Sequence, residues 1–273
     1  MKITKNKFAV IGLFLLVAFI LAALFAVQIS PFDPSEQHLQ EGLNGPSTHH
    51  LLGQDKLGRD ILSRMIYGSR ISLLVGISVV SISLVVGLLI GSIAGYFGGI
   101  LDEAIMRIVD VFLAFPGILL AIAITAVLGP SLRNVLVALC IMGWVGYARI
   151  IRGQILIVRE LEYVQAAQAN GASTFRILIR HILPNIMAPV IIEATFGMAG
   201  AIIAEAGLSF LGLGVQPPTP SWGSMLAEGR QFLLLAPHLT TFPGIAIMLT
   251  VLGLNFVGDG LRDAMDVRQS NVP

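Results

Sequence analysis

Six apolar stretches dominate this sequence, and each approaches the length of about 20 residues that a helix needs to cross a lipid bilayer. Backbone groups inside lipid must be hydrogen-bonded within their own segment, so we predict that each stretch is a transmembrane helix. Hydrophobic residues make up 55% of the 273 residues and charged residues only 12%, against about 25% charged in soluble domains. The predicted spans are residues 8–27, 71–96, 108–128, 135–151, 186–208 and 241–257.

This pattern predicts an all-α membrane protein with about six transmembrane helices and little room for a separate soluble domain. We divide the chain into residues 1–70, an N-terminal span with an external loop, and residues 71–273, the transmembrane core. The first apolar stretch is longer than the core of a secretory signal, so we expect it to be an uncleaved anchor.

The distribution of cationic residues predicts the orientation. Lys2, Lys5 and Lys7 precede the first span, and most of the 17 Lys and Arg residues fall on the same side of the membrane as these three. The positive-inside rule then places both termini in the cytoplasm. The polar segment 30–70 lies outside, and the charged segment 152–189 lies in the cytoplasm along the membrane surface.

Three glycines recur at intervals of four in the second predicted span, at Gly87, Gly91 and Gly95. This spacing places them on one helical face, where small residues allow two helix backbones to approach closely in lipid. The sequence leaves open whether that face packs within this chain or against a partner subunit.

Acidic residues in or near the apolar zone are candidates for a pathway or a gate, because such groups are costly in lipid. Asp110 follows Arg107 by three positions, so we predict an ion pair between them. Glu193 and Glu205 are twelve apart in the fifth span, and we predict a similar helical face for both. They could line or gate a pathway, or serve only in local hydrogen bonds.

The external loop carries two adjacent histidines, His49 and His50, near Asp55 and Asp60. Adjacent side chains point apart, whereas metal ligands must converge. We therefore expect a solvated loop and no metal site.

The sequence contains no sign of a catalytic site of its own. A G-x-S-x-G elbow, an H-E-x-x-H pair and a glycine-rich loop ending in G-K-[ST] are all missing. We expect a chain that is not an enzyme and holds no cofactor, so any ATP must be bound by another subunit. The absence of Lys/Arg runs argues against a nucleic-acid partner.

The segment 162–185, EYVQAAQANGASTFRILIRHILPN, is the most specific part of the chain. We predict a short helix with a small-residue face, a turn at Gly171, and a second helix capped by Ser173. Pro184 and Pro189 are expected to interrupt that helix and return the chain to the bilayer. Such a helix-turn-helix could dock in a groove on a partner protein.

This segment resembles the EAA loop of ATP-binding-cassette (ABC) importer permeases, whose pattern is E-A-A, three residues, Gly, nine residues and then I-x-L-P. Gln165 stands where the family usually has Glu, and His181 where it usually has Ile. The matching positions are Gln165, Ala166, Ala167, Gly171, Leu183 and Pro184.

Other segments resemble the second permease subunit of the branch that transports dipeptides, oligopeptides and nickel. The family usually continues the last of them with Pro, where this chain has Val267. These segments are residues 51–64, 68–76, 106–116, 208–223 and 256–266.

The resemblance implies a type I ABC importer permease fold in a bacterial inner membrane. It implies a heterodimer with a homologous permease, two cytoplasmic ATPase subunits that bind ATP and Mg²⁺, and an external binding protein approaching residues 30–70 and 216–238. The chain would form half of a pathway for peptides. The implied coupling residues are Gln165, Ala166, Ala167, Gly171, Ala172, Ser173, Phe175, Leu183 and Pro184.

Two alternatives stay open at this stage. The same architecture could import nickel or another small solute, because the sequence does not reveal the cargo. More distantly, the chain could be an ion-coupled secondary transporter that works without an ATPase and uses Glu193 or Glu205.

Overall fold

The computed structural model describes residues 6–265 and folds them into helices joined by turns and by one long segment between Ile29 and Ile61. Within that range there is no strand, and a single isolated bridge joins Gln54 to Asp60. The helices are α1 (Lys7–Leu24), α2 (Ala26–Ile29), α3 (Ile61–Phe97), α4 (Gly99–Leu113), α5 (Gly117–Leu128), α6 (Leu132–Val158), α7 (Glu162–Ala169), α8 (Thr174–Ile177), α9 (Leu183–Phe210), α10 (Trp222–Gly229) and α11 (His238–Met265).

Five helices are long and apolar enough to cross a membrane, which confirms an all-α membrane fold. They are α1, α3, α6, α11 and the continuous helix Thr174–Phe210, which joins α8 to α9 through a π-helical turn at Leu178–Ile182. The predicted spans therefore exist, with one exception.

The exception is the third predicted span, residues 108–128, which is not one helix. α4 and α5 meet at an angle of 81°. Pro116 lacks a backbone N–H, and its ring disfavours helical geometry at the preceding residue, so the helix cannot continue through this point. With 12 residues, α5 is only about 18 Å long and cannot cross the bilayer alone.

α3 begins at Ile61, ten residues before the start of the predicted span. Asp60 caps it by accepting a hydrogen bond from the backbone N–H of Ser63 at 2.8 Å. With 37 residues, α3 is about 55 Å long, which exceeds the hydrocarbon thickness of about 30 Å. Its first turns therefore project out of the membrane on the side of the long external segment.

The three glycines of α3 face α6 of the same chain. Cβ atoms built on Gly87, Gly91 and Gly95 would lie 2.5, 2.6 and 2.9 Å from atoms of α6. Such distances are shorter than real contacts, so the close approach of these two helices depends on the missing side chains.

The N-terminal helix is part of the same bundle and lies along α11. A Cβ atom built on Gly12 would be 2.7 Å from the carbonyl oxygen of Gly253, and the rings of Phe8 and Phe256 are 5.3 Å apart. Asn6 donates to Asp263 at 2.9 Å, so the start of α1 and the end of α11 lie at one end of the bundle.

The bundle thus has two distinct ends. One carries the external segment, which we define as residues 31–60, together with α10. The opposite end carries the coupling segment, which we define as residues 162–185. The described residues do not include Lys2 and Lys5, on which the predicted orientation partly depends, or Val267.

Candidate functional site

The coupling segment opens with α7, which ends in a glycine turn. Gly171 has φ +76°, the left-handed conformation that side-chain-bearing residues avoid. The N–H of Ala172 donates to the carbonyl of Ala167 at 3.1 Å, which closes a Schellman motif. No atom outside its immediate neighbours lies within 4 Å of a Cβ built on Gly171, so glycine is required here for its backbone conformation rather than for space.

The coupling segment is held firmly to the bundle by two buried side chains. Val164 of α7 and Ile177 of α8 are fully buried. They belong to one apolar cluster, shared by the end of α6 and the start of α9, that consists of Tyr147, Ile151, Ile155, Val158, Val164, Ile177, Ile182, Ile186 and Val190. A movement of α7 and α8 must therefore carry α6 and α9 with it.

The outer face of the coupling segment is exposed. Phe175 has 75% of its surface accessible, so a large apolar side chain is presented on this outer face. The exposed predicted residues are Gln165, Ala166, Gly171, Ser173, Phe175 and Pro184, while Ala167, Ala172 and Leu183 are half-buried.

Two details of the predicted segment are wrong. Ser173 occupies the N-cap position of α8, but its side chain makes no capping hydrogen bond. Pro184 and Pro189 do not interrupt the helix, which runs unbroken from Thr174 to Phe210. A proline ring clashes with the carbonyl four residues earlier, and for Pro184 that carbonyl belongs to Arg180, inside the wider π-helical turn.

Arginine side chains fix α4 and the end of α3 to the C-terminal part of α6 at this end of the bundle. Arg152 donates through Nη2 to Asp102 at 2.6 Å, and Arg159 donates through Nη1 to the carbonyl of Gly95 at 2.9 Å. The predicted pair of Asp110 with Arg107 is wrong, because Asp110 faces α6 and pairs with Arg149.

Arg107 instead reaches Glu103, one helical turn earlier, at 3.6 Å. Both side chains of this second pair are largely exposed, so it contributes little to stability.

At the other end, the prediction of a solvated loop is only partly correct, because most of residues 31–52 are exposed whereas residues 53–60 are mostly buried. Asp55 and Asp60 are both buried. The ring of His50 lies 2.9 Å from Asp60 and 4.6 Å from the ring of Phe32. His49 and His50 do not point apart, since their rings are 5.0 Å apart. Within residues 6–265 no group of three or more His, Cys, Asp or Glu side chains is placed to hold a metal ion.

An open cavity of about 620 Å³ lies over this part of the external segment. Glu41, on its wall, accepts a hydrogen bond from the side-chain amide of Gln54 at 3.0 Å. That bond, aided by the nearby imidazoles, holds the pKa of Glu41 below its usual value.

Four charged side chains, three of them buried and one partly buried, form a quartet that joins the external segment, α3 and α10. Arg59 donates to Asp55 and to Glu228, each at 2.6 Å. Arg64 lies 3.4 Å from Asp55 and 3.4 Å from Glu228. We call Asp55, Arg59, Arg64 and Glu228 the ion quartet.

α10 lies among the ends of four other helices, on the same side of the bundle as the external segment. Its first residue, Trp222, donates through Nε1 to the carbonyl of Met65 in α3 at 3.1 Å, and its ring is 5.4 Å from that of Phe19 in α1. A Cβ on Gly223 would meet Ala206 of α9 at 2.6 Å. Met225 packs in one cluster with residues of α3 and α11.

Comparison with known proteins decides what this architecture belongs to. Residues 87–271 match the model of a family described as binding-protein-dependent transport system inner membrane component. The chain belongs to this family. Residues 2–46 match a second model, described as the N-terminal transmembrane domain of oligopeptide transport permease C.

Three curated relatives cover nearly the whole chain. A dipeptide transport system permease protein of Alkalihalophilus pseudofirmus is 47% identical over 99% of this chain and 89% of its own length. A di/tripeptide transport permease of Pseudomonas aeruginosa is 45% identical over 97% and 90%. A glutathione transport permease of Pectobacterium atrosepticum is 47% identical over 93% and 85%.

The fold also has a solved counterpart. An inward-facing structure of the MetNI methionine ABC transporter aligns with a TM-score of 0.61 at 20% identity, covering 75% of this chain and 97% of that one. The chain is therefore a permease with the type I ABC importer fold.

The two candidate glutamates of the permease differ in environment, so the prediction of a common helical face is wrong. Glu205 is 1% exposed and accepts a hydrogen bond from the Ser209 hydroxyl at 2.7 Å, whereas Glu193 is half-buried. Twelve residues correspond to 3.3 turns, which sets the two side chains about 120° apart. Glu205 lies beside the start of α10, because a Cβ atom built on Gly223 would lie 2.6 Å from Ala206 and 2.8 Å from Ser209, the residues next to Glu205 on α9.

Sequence reasoning missed α10 and the ion quartet of this permease. The only local signal for α10 is Ser221, which caps it together with Ser224 at 3.2 Å. The quartet joins residues 169 positions apart, which no local pattern reveals.

Proposed function

We propose that this permease forms half of a translocation pathway for peptides and is driven by ATP hydrolysis in separate subunits. The observation that carries the proposal is the coupling segment, a stiff helix-turn-helix with an exposed aromatic tip. It sits at one end of a helix whose other end reaches α10. The names of the relatives, which are dipeptide, di/tripeptide and glutathione permeases, favour a short peptide as cargo.

The coupling segment would be inserted into a groove on an ATPase subunit. Phe175 is the natural anchor, because a large, exposed aromatic side chain offers much apolar area to a pocket on a partner. Around it, Ala166 and Ala167 allow close approach, and Gly171 sets the angle of the turn. Leu183 and Pro184 begin the helix that carries the motion into the membrane.

Closure of the ATPase subunits would then rock the bundle between inward-open and outward-open states as a rigid body. The buried contacts of Val164 and Ile177 favour rigid-body motion, because they pack the coupling segment closely against α6 and α9.

The remaining partners follow from the same proposal. A homologous permease supplies the other half of the pathway, two cytoplasmic ATPase subunits bind ATP and Mg²⁺, and a binding protein approaches the external segment and residues 216–238. Both termini and the coupling segment face the cytoplasm of a bacterial cell. This chain holds no ATPase site or cofactor, and nucleic acid is not a partner.

Reconstitution of the whole complex in proteoliposomes tests this function. With the two permeases, the ATPases and the loaded binding protein, we expect uptake of a labelled dipeptide that requires ATP and stops without hydrolysis. Nickel supplied with the same binding protein is the matched comparison. Uptake of nickel but not peptide would assign the other cargo, and uptake driven by an ion gradient without ATPases would overturn the proposal.

A further inference from the structure

The ion quartet holds the external segment against α10 at a large cost in desolvation of its charges. Asp55, Arg59 and Arg64 are each at most 5% exposed, and the Glu228 side chain is 16% exposed. Removing charges from water costs several kcal/mol per ion, and apolar side chains would stabilise such a contact at least as well. A buried charge network does, however, fix one register between the parts that it joins.

One arginine of the quartet is incompletely paired. Arg59 makes two short bonds of 2.6 Å, whereas Arg64 reaches Glu228 only at 3.4 Å, and its Nη1 has no hydrogen-bond partner in residues 6–265. Glu228 is thus held mainly by Arg59 of the external segment, through a charge-assisted hydrogen bond. A displacement of the external segment at Arg59 would therefore move Glu228 with it.

Such a shift would be passed on through α10. Glu228 lies at the end of this eight-residue helix, and Gly223, at its start, touches Ala206 and Ser209 of α9. Trp222 holds the same turn against α3. A displacement of Glu228 therefore presses on α9 close to Glu205 and Ser209.

The helix that receives this displacement also carries the coupling contact. From Phe210 it runs without a break to Thr174, 37 residues and about 55 Å away, and Phe175 is its second residue. The external segment and the proposed ATPase contact are thus joined through the quartet, α10 and one continuous helix.

We propose that Glu228 is a positioning residue through which the external segment reports a docked, loaded binding protein to the ATPase end of the permease. The inference rests on the proposed function and adds a residue and a route to it. Coupling between two sites is reciprocal, so the same contact transmits ATP-driven closure outwards.

The test uses the complete complex in nanodiscs and measures ATP hydrolysis with and without the peptide-loaded binding protein. Glu228→Gln removes the charge and keeps the shape. We expect basal hydrolysis and the half-saturating concentration of binding protein to stay within about twofold, and stimulation to fall by at least about fivefold, the lower range of allosteric coupling. Glu103→Gln, an exposed glutamate at the opposite end, is the matched control and should change neither value.

The other outcomes overturn the inference. Full stimulation in Glu228→Gln shows that the contact transmits nothing. An equal loss of basal and stimulated hydrolysis shows a purely structural role, and a raised half-saturating concentration with a full maximum shows a docking contact only. If Glu228→Gln does not assemble, Glu228→Asp, which keeps the charge and shortens the reach, is judged by the same criteria. A wild-type complex without stimulation would refute the proposed function itself.

Discussion

Replacement of Gly171 by Leu is expected to lower ATP-driven uptake by about 5- to 30-fold while the complex still assembles. The backbone at this position is left-handed, with φ +76°. This conformation costs an L-residue about 1–2 kcal/mol, which lowers the equilibrium constant for forming the native turn by about 5- to 30-fold. The turn sets the angle between α7 and α8, so its loss separates ATP hydrolysis from transport. Uptake and hydrolysis measured in one preparation check this.

Gly171→Asn is the matched control, because Asn tolerates the left-handed region far better than Leu does. A Cβ at this position meets nothing within 4 Å, so bulk alone has no effect in the isolated chain. Near-normal uptake in Gly171→Asn with loss in Gly171→Leu is the expected pattern. Unchanged uptake in an assembled Gly171→Leu complex would contradict the role given to the turn.

The double change Gly87→Ala/Gly91→Ala is expected to destabilise the permease strongly. The new Cβ atoms would lie 2.5 and 2.6 Å from atoms of α6, which forces the two helices apart. Overpacking costs about 1–3 kcal/mol per site, so we expect the melting temperature of the purified complex to fall by at least about 5 °C. Thermal stability followed by size-exclusion chromatography measures this.

Gly146→Ala in α6 is the matched control, and we expect this variant not to lose stability. It is exposed, and a Cβ there meets nothing within 4 Å. Ala favours a helix over Gly by about 0.8–1 kcal/mol, so this variant should be as stable as the wild type or slightly more so. Equal stability of the double variant and Gly146→Ala would refute the role of the α3 glycines in packing against α6.

Hydropathy and residue spacing were sufficient for the spans and for the coupling segment. Long apolar runs leave few structures possible in lipid, and five of the six predicted runs became helices that can cross a membrane. The turn at Gly171 was predictable because a glycine between two short helical patterns commonly adopts the left-handed conformation that ends a helix. The proline at position 116 itself indicates a helix break, but it lies inside a continuous apolar stretch, so the stretch was predicted as one span.

The ion pairs between different helices and segments could not be predicted, because their partners are distant in sequence. Asp110 pairs with Arg149 rather than with the nearby Arg107, since the orientation of α4 against α6 decides which charge it meets. The same applies to Arg59 and Glu228. Helical spacing identifies which residues can share a face, and only tertiary packing decides which face is opposite.

Cysteine labelling at the coupling segment tests the central claim most directly. In a Cys140→Ala background, Phe175→Cys reports on the coupling segment and Gly45→Cys on the external segment, where both positions are exposed. A membrane-impermeant thiol reagent should label Gly45→Cys in intact cells and Phe175→Cys only in inverted vesicles, where a bifunctional reagent should also join Phe175→Cys to an ATPase subunit. Labelling of Phe175→Cys from outside intact cells would contradict the account.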